Sequence, residues 1–264
     1  MKIVVAIKQV PERDAHIRID ARGKWIDLQE VEFNLNESDA YALEEALLLK
    51  EAHGGEVVVI SAGPERVGKT IREALAKGAD RALHIESADE KELAAFDALG
   101  VAKLLAAAIE ADGQPDLILT GLQSDDLGLG QTGVILAELL GLPHASLILK
   151  IEKTGSGIKV LRELEDAWFQ HLELPTPAVL TIQSGNTKLR YATLMGIKRA
   201  RTKEVRRFTI AELAGSAHKP AEPVVILEEV LLPHKQRSTQ LLGGSPAEAA
   251  AALVEKLQFE VRAL

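Results

Sequence analysis

Two glycine-containing segments hold residue types that can bind phosphate. The first, GPERVGKT over Gly63–Thr70, matches the pattern G-x-x-x-x-G-K-[ST] and follows a strand-like run. In a loop of this kind, backbone N–H groups surround the phosphates, Lys69 would reach the β- and γ-phosphates, and Thr70 would hold Mg²⁺. A stand-alone P-loop-like ATP-binding protein is therefore one candidate function.

The surroundings of GPERVGKT favour another interpretation. Gly63-Pro64 is typical of a tight turn between a strand and a helix, and the apolar spacing that begins at Val67 predicts a helix. The later strand-like run Leu117–Leu119 leads into Thr120-Gly121 rather than into an aspartate suited to hold Mg²⁺. We therefore favour a strand-to-helix turn here.

The second segment is the loop GLQSDDLGLGQTG over Gly121–Gly133. It contains the spacing G-x-G-x-x-G, but a dinucleotide-binding fingerprint would directly follow the first strand, and this loop follows a late one. Small residues let backbone N–H groups approach a phosphate, the next helix adds its positive end, and Gln131 and Thr132 add side-chain hydrogen bonds. We predict an anion-binding loop in which Asp125 and Asp126 face a ribose hydroxyl or solvent; a solvated connection is the alternative.

A third segment combines positive charge with apolar side chains. Between Lys188 and Arg207 there are eight basic residues and one acidic residue, although the formal net charge of the whole chain is −8. Such asymmetry is typical of a surface that meets a partner, and one apolar side chain beside the charges could anchor it. A docking loop and an amphipathic helix with a buried apolar face fit the pattern equally well. The apolar residues are Tyr191, Ala192, Leu194, Met195 and Ile197.

The composition excludes several classes of chemistry. The chain has no cysteine, which rules out disulfides, zinc ribbons, iron–sulfur clusters and thiol catalysis, and its seven histidines show no metal-ligand spacing. No G-x-S-x-G sequence is present, so we predict a binding protein without catalytic side chains and without a metal. The acidic balance argues against nucleic-acid binding. Because no apolar run reaches ~18 residues and the N-terminus is typical of a strand, we expect a cytoplasmic protein that does not insert into membranes.

The elements that must position these segments alternate between strand and helix in the first half. Short apolar runs predict strands at Ile3–Ile7, Val57–Ile60, Ala82–Ile85 and Leu117–Thr120. Helical spacing predicts helices from Asn36 or Ser38 past Leu47, from Val67 to Gly78, over Leu93–Ala111 and over Gln131–Leu140. This alternation predicts an α/β fold with a parallel sheet, helices on both faces, and ligands at the carboxyl ends of the strands.

The second half has closely spaced strands instead. They are predicted at Ala145–Ile151, Ile158–Leu164, Trp168–Leu174 and Ala178–Ile182, and the turn Lys153–Gly157 predicts a hairpin that extends the sheet. The sequence from Ser245 to Glu248 is a capping box ahead of a helix to about Leu257. We divide the chain into a core (1–187), a basic segment (188–207), and a linker with a C-terminal helix (208–264). That helix is either an arm on another surface or the last helix of the same domain.

Several of these segments resemble one known family. They are VVAIKQVP (Val4–Pro11), NESDAYALEEA (Asn36–Ala46), SAGP through GADRALHI (Ser61–Ile85), DLILTGLQ with QTG (Asp116–Gln123 and Gln131–Gly133), LPTPAVLTI (Leu174–Ile182) and RYATL (Arg190–Leu194). On this basis the chain resembles the β subunits of electron transfer flavoproteins over essentially its whole length. RYATL is the most specific of these motifs, and it coincides with the recognition loop of the family, whose inserting leucine corresponds to Leu194.

The resemblance implies a Rossmann-like adenine-nucleotide-binding fold in one subunit of a heterodimer. The partner α subunit would hold most of the FAD, this subunit would hold AMP as a structural cofactor, and the C-terminal helix would be an arm that reaches round the α subunit. The residues that the family implies for AMP are Ala6, Asn36, Glu37, Ser38, Asp39, Ala62, Gln123, Ser124, Asp126, Gly130, Gln131, Thr132 and Gly133. Those implied for docking of a dehydrogenase are Arg190, Tyr191, Leu194, Met195, Ile197 and Lys198.

The function that the resemblance implies is electron transfer without catalytic side chains in this chain. Electrons from acyl-CoA and related dehydrogenases, as in fatty acid oxidation, would pass through FAD to a quinone oxidoreductase of the membrane. Some relatives hold a second FAD instead of AMP and bifurcate electrons, and that alternative stays open here. The chain departs from the family at Asn36-Glu37-Ser38, where many members have Asn-Pro-Phe, and near Arg13, where some members place an aromatic residue.

Overall fold

The computed structural model describes residues 1–21, 23–88, 96–155, 157–185, 187–218, 223–233 and 239–261. The strands are β1 (Lys2–Ala6), β2 (Gln9–Pro11), β3 (Phe33–Leu35), β4 (Glu56–Gly63), β5 (Arg81–Glu86), β6 (Leu117–Gly121), β7 (His144–Lys153), β8 (Gly157–Glu163), β9 (Phe169–Pro175), β10 (Ala178–Ile182) and β11 (Val205–Thr209). The helices are α1 (Glu37–His53), α2 (Gly68–Lys77), α3 (Ala98–Asp112), α4 (Thr132–Leu139), α5 (Leu194–Ala200), α6 (Ile210–Leu213) and α7 (Pro246–Lys256). A 3₁₀ turn at Glu65–Val67 precedes α2, another at Glu165–Ala167 follows β8, and a π-helical turn at Leu257–Val261 follows α7.

Nine of the strands form one sheet in the order β11-β5-β4-β1-β6-β10-β7-β8-β9, and β2 pairs with β3 separately. The strands from β11 to β7 are parallel to their neighbours, whereas β8 and β9 are antiparallel. The predicted α/β fold with a parallel sheet is confirmed, and so is the hairpin of β7 and β8 that extends it. Residue 156 of the predicted turn lies outside the described residues.

Helices cover both faces of the sheet, as predicted. On β1, Ile3 and Val5 face the core under α1 and α2, while Val4 between them faces the core under α3 and α4. Strands buried on both faces read as continuous apolar runs, which explains why the strand-like runs of the first half consist mostly of apolar residues. The described part of the predicted helix Leu93–Ala111 is α3; residues 93–95 lie outside the described residues.

The order of the strands creates a switch point between β1 and β6. The chain runs from β1 outward through β4 and β5 on one side, and then returns to place β6 on the other side of β1. Connections leave these two neighbouring strands in opposite directions, so a crevice opens at their carboxyl ends. The fold thus places residues after β1 and after β6 at one site.

The C-terminal part of the chain first returns to the sheet. Strand β11 pairs with β5 at the edge, and Phe208 and Leu213 are buried in the core under α3. Strand β11 was not predicted, because two adjacent arginines precede its single buried residue, Phe208. Helix α7 begins with the predicted capping box of Ser245 and Glu248, and none of its side chains is buried. Within the described ranges, every helix is too short or too polar to cross a bilayer.

Candidate functional site

A cleft of about 970 Å³ opens at the carboxyl ends of β1, β4 and β6. Ten of the thirteen residues predicted to bind the nucleotide line it: Ala6, Asn36, Asp39, Ala62, Gln123, Ser124, Gly130, Gln131, Thr132 and Gly133. The other three do not. Ser38 is buried behind the loop, Glu37 pairs with Arg13 at 2.7 Å, and Asp126 lines a neighbouring cavity. The switch point therefore brings together most of a set of residues that spans 128 positions of sequence.

Asp39 fixes the two strand ends at the switch point. Its carboxylate accepts hydrogen bonds from the backbone N–H of Lys8, after β1, at 2.7 Å and of Gly121, at the end of β6, at 2.9 Å. Burial raises the pKa of Asp39 to about 7, although both backbone donors favour the ionised form. A side chain at position 121 would stand 2.3 Å from this carboxylate, so only glycine allows the contact. Asp39 thus determines the width of the cleft.

Asn36 and Ser38 hold the loop that follows β6. The amide of Asn36 donates to the carbonyl oxygen of Gln123 at 2.9 Å and accepts from the N–H of Asp125 at 2.9 Å, while the Ser38 hydroxyl donates to the same Gln123 oxygen at 2.6 Å. Asn36 stands at the position that precedes α1, but its side chain makes no cap bond to the helix. These two side chains position the Gly121–Gly133 loop from behind.

The start of α4 has the features of an anion site. Its first N–H groups have no acceptor within the helix, and the helix dipole makes this end positive. Gly133 lies in the first turn, and a Cβ there would come within 2.5 Å of Thr120 Oγ1 and 2.7 Å of Thr181 Cγ2. The Thr181 hydroxyl is buried and has no hydrogen-bond partner among the described residues. The N-terminus of α4 lies close to β6 and β10, and its first backbone N–H groups are available as donors. This arrangement could bind the phosphate of a nucleotide.

Lys8 adds a positive charge that the sequence analysis missed. Its ammonium contacts Asp126 Oδ1 at 2.6 Å and Ser124 Oγ at 3.3 Å. Burial acts to raise the pKa of Asp126, but the charge and hydrogen bond of Lys8 outweigh it and hold this pKa below its usual range. Both loop aspartates therefore have partners within the chain: Asp126 pairs with Lys8, and Asp125 accepts a hydrogen bond from the N–H of Glu37 at 3.3 Å.

Helix α3 supplies the opposite wall of the cleft, which was also missed. Phe96, Asp97, Ala98, Val101 and Leu105 line it with mostly apolar surface. The signal available in the sequence was topological: a helix that follows β5 and precedes β6 must pass over the carboxyl ends near the switch point. An apolar wall opposite a loop that has the features of an anion site suits a flat base attached to a phosphate.

The GPERVGKT segment forms a strand-to-helix turn, as favoured from the sequence. Gly63 ends β4, a 3₁₀ turn follows Pro64, and Gly68 has the helical φ of −53°. The Thr70 hydroxyl, which would hold Mg²⁺ in a phosphate loop, is buried and accepts a hydrogen bond from the amide of Gln9 at 2.8 Å. The segment therefore lacks the open loop and the free hydroxyl that the ATP-binding alternative needs.

The basic segment presents its apolar residues to solvent on a helix. Leu194 opens α5 and is 88% exposed, Tyr191 before it is 90% exposed, and Met195 and Ile197 are also exposed. The segment is therefore a helix, as one of the two predictions has it, but its apolar residues are exposed, as the docking-loop prediction requires. Lys198 lies beside them and is exposed as well.

Several contacts fix α5 on the body of the protein. Arg190 donates to Glu44 of α1 at 2.9–3.0 Å and to Glu51 at 2.6 Å, so the guanidinium predicted to dock a partner is used within the chain. Thr193 caps the helix by accepting from the N–H of Gly196 at 3.0 Å. A Cβ on Gly196 would lie 2.3 Å from the carbonyl oxygen of Ala76, which shows how closely α5 approaches α2.

Comparison with known proteins identifies the family. A family model described as "Electron transfer flavoprotein domain" matches residues 24–213. The chain is 37% identical to electron transfer flavoprotein subunit beta of Methylophilus methylotrophus over 97% of both chains, and 34% identical to that of Bacillus subtilis over the whole of both. The chain belongs to the electron transfer flavoprotein β-subunit family. The resemblance found from the sequence motifs is thereby confirmed.

The relatives come from different organisms, and the name of one includes a compartment. The chain is 33% identical over 98% of both chains to a protein of Arabidopsis thaliana named electron transfer flavoprotein subunit beta, mitochondrial. Such full-length similarity means that the core, α5 and the C-terminal helix all have counterparts in the relatives. The family is one of electron-carrier subunits, and its name indicates a flavin.

Proposed function

We propose that the chain is the β subunit of a heterodimeric electron transfer flavoprotein that docks acyl-CoA and related dehydrogenases through Leu194. The partner α subunit would hold most of the FAD, and the reduced pair would pass electrons to a quinone oxidoreductase. FAD would supply the redox chemistry. This chain would hold the α subunit, bind the nucleotide and dock the dehydrogenase, and it needs no catalytic side chain of its own. Helix α7 would serve as the arm that packs on the partner, which fits its lack of buried residues.

A structural AMP in the cleft is the second part of the proposal. The α4 N-terminus would bind the phosphate, Lys8 would add charge, and the apolar wall of α3 would contact the base. The residues expected to contact the nucleotide directly are those of the cleft, while Ser38, Glu37 and Asp126 act on the loop around it. Some relatives hold a second FAD here, so the nucleotide that is released on denaturation of the purified heterodimer decides between the two.

The observation that carries the docking proposal is the exposure of Leu194 on a fixed helix. An exposed leucine on a flexible loop would lose conformational entropy on binding, but Arg190, Thr193 and Gly196 already hold α5 in place. A single apolar anchor gives a contact that forms and dissociates quickly, which suits a carrier that must leave its donor after each transfer. Lys198 would increase the rate of encounter with an acidic rim.

Replacement of Leu194 by alanine tests the proposal. We expect kcat/KM for flavin reduction by an acyl-CoA dehydrogenase to fall roughly 10- to 100-fold, because a leucine side chain contributes about 1.5–3 kcal/mol when buried. The measurement is stopped-flow absorbance of the co-purified heterodimer at several dehydrogenase concentrations. The matched control is Leu48→Ala on α1, which removes another exposed leucine.

Chemical reduction by dithionite separates docking from damage to the flavin site. In Leu194→Ala, the dithionite rate, the flavin content and the nucleotide content should match those of the unmodified heterodimer. An unchanged rate with the dehydrogenase would disprove docking through Leu194. An equal decrease in the rate of reduction by dithionite would show that the substitution acts on the flavin site instead.

A further inference from the structure

Asp97 lies where the cleft wall, a helix and the C-terminal part of the chain meet. It directly precedes α3 and lines the cleft. Its Oδ1 accepts from the N–H of Gly100 at 2.8 Å and so caps the helix. Its Oδ2 accepts from the N–H groups of Val224 at 2.8 Å and Val225 at 3.1 Å. One carboxylate therefore holds both the first turn of a cleft-lining helix and a segment more than 120 residues away.

Asp97 holds residues 223–233, which we call the strap. It has no regular secondary structure, and Val224, Val225 and Ile226 are each at least two-thirds exposed. Its other backbone contacts reach the region before β3: the N–H of Val230 donates to Gly23 at 2.9 Å, and the Lys24 ammonium donates to the Glu228 carbonyl. Because little apolar surface of the strap is buried, these hydrogen bonds are its main attachment to the other residues that the structure describes.

Asp97 is well suited to bear the strap because it is ionised at neutral pH. The N–H of Gly100, followed by those of the strap, holds the pKa of this carboxyl below its usual range against a small opposing effect of burial. Hydrogen bonds to a charged acceptor are about twice as strong as neutral ones. Loss of one oxygen of Asp97 would therefore remove a large part of what holds the strap.

We propose that Asp97 couples occupancy of the cleft to seating of the strap. The inference rests on the proposed binding of AMP. A nucleotide against Ala98 and Val101 stabilises the first turn of α3, which fixes Asp97 and with it the acceptor for the strap. The coupling is reciprocal, so detachment of the strap weakens nucleotide binding by the same factor. Asp97 is a positioning residue, since it acts through α3 and the strap.

Two substitutions separate the strap from the helix cap. Asp97→Asn keeps a good cap residue, but its single amide oxygen cannot accept from both Gly100 and the strap. Val225→Pro removes one N–H donor of the strap and leaves Asp97 untouched. The matched control is Asp166→Asn, which changes an aspartate in the turn between β8 and β9, where left-handed backbone suits asparagine.

The experiment measures cleavage of the strap by the protease Glu-C, which cuts after Glu228 and Glu229, in the full chain with and without saturating AMP. Mass spectrometry follows the fragments, and calorimetry gives the Kd of AMP. We expect AMP to slow this cleavage at least ~5-fold in the unmodified chain and in Asp166→Asn. In Asp97→Asn and Val225→Pro the slowing should disappear, and the Kd of AMP should rise by a similar factor.

The outcomes distinguish the coupling from the proposed function. If the unmodified chain binds AMP and the strap is cleaved at the same rate with and without it, the coupling is wrong and AMP binding stands. If the unmodified chain binds no AMP, the nucleotide site itself is wrong and the coupling falls with it. Should Asp97→Asn lose helical circular dichroism, Val225→Pro decides alone, because it does not alter the cap of α3.

Discussion

Among single residues, Asp39 lines the cleft and bridges two of the strands that border it. It joins the ends of β1 and β6 through the N–H groups of Lys8 and Gly121, and its carboxylate is buried between them. A buried carboxyl needs both of its oxygens satisfied, since an unpaired buried group costs about 1–3 kcal/mol. The two backbone donors meet that need and hold the two strand ends at a fixed separation.

We predict that Asp39→Asn lowers the free energy of unfolding by about 1–3 kcal/mol, because its NH₂ group would face one backbone N–H. The difference should depend on pH. Burial raises the native pKa of Asp39 to about 7 from its ordinary value of 3.8, so the native state holds the proton more tightly and this group contributes less stability as pH rises across that interval. Urea unfolding at several pH values measures the effect.

In the variant, position 39 does not titrate. The destabilisation relative to the unmodified chain should therefore be largest below pH 4 and shrink toward pH 7. A difference that grows with pH across this interval would mean that the native carboxylate is stabilised overall by its two donors. Ser38→Ala is the matched control, because it alters the neighbouring buried side chain without adding a titrating or donor group.

The residues of the site were predictable only where a local motif carried them. Asn36, Gln131 and Gly133 stand in segments whose spacing or family resemblance marks them. Asp97 stands outside such segments, and Lys8 stands in one that does not reveal its role; both roles depend on partners 118 positions (Lys8) and 127 positions (Asp97) away in the chain. No pattern within one segment can show such contacts, whereas the strand order at the switch point brings them together.

At the scale of elements, α5 depends on a close approach to α2. Gly196 faces the carbonyl oxygen of Ala76, while Arg72 of α2 donates to the carbonyl oxygens of Ala200 at 2.6 Å and Lys203 at 3.1 Å. The start of α5 is thus held by Thr193 and its end by Arg72. A short helix that is marginal alone is stabilised by these tertiary contacts.

Gly196→Ala should displace α5 and weaken docking. The added Cβ would lie 2.3 Å from Ala76 O, a backbone atom that cannot move without moving α2. Overpacking of this kind costs about 1–3 kcal/mol, and Leu194 would shift with the helix. We expect a lower melting temperature and slower flavin reduction by the dehydrogenase. In Gly68→Ala, the Cβ meets nothing within 4 Å, so the melting temperature should stay the same or rise and the rate of flavin reduction should stay unchanged.

The elements show which parts of the fold a sequence pattern can predict. The four strands of the first half were predicted because burial on both faces leaves a continuous apolar run. For the segment that forms α5, the sequence could not distinguish a docking loop from a helix with a buried apolar face. The contacts of Gly196 and Arg190 with other elements determine whether the apolar side chains of α5 are exposed. Strand β11 has only Phe208 buried and carries two adjacent arginines, so its pairing with β5 has no local signature.

For the whole molecule, α1 links the cleft to the surface proposed to dock a dehydrogenase. Its first turn contains Ser38 and Asp39 at the end near the cleft, and its later turns contain Glu44 and Glu51, which hold Arg190. The two sites therefore share a rigid helix but no side chain. A nucleotide in the cleft would stabilise α1, the helix that holds Arg190 next to α5. The nucleotide itself would not contact a dehydrogenase, which is the behaviour expected of a structural cofactor.

A nucleotide that binds only the native state must raise the melting temperature. At a concentration 1,000 times its Kd, AMP would add about 4 kcal/mol, a shift of roughly 8–16 °C for a chain of this size. Adenosine should give a smaller shift at equal concentration, because it leaves the N–H donors at the start of α4 without a phosphate and leaves Lys8 with Asp126 as its only ion-pair partner among the described residues. Differential scanning fluorimetry of the nucleotide-free chain measures both. Equal shifts would place the phosphate outside the cleft, and the same shifts in Leu194→Ala would show that docking and nucleotide binding are independent.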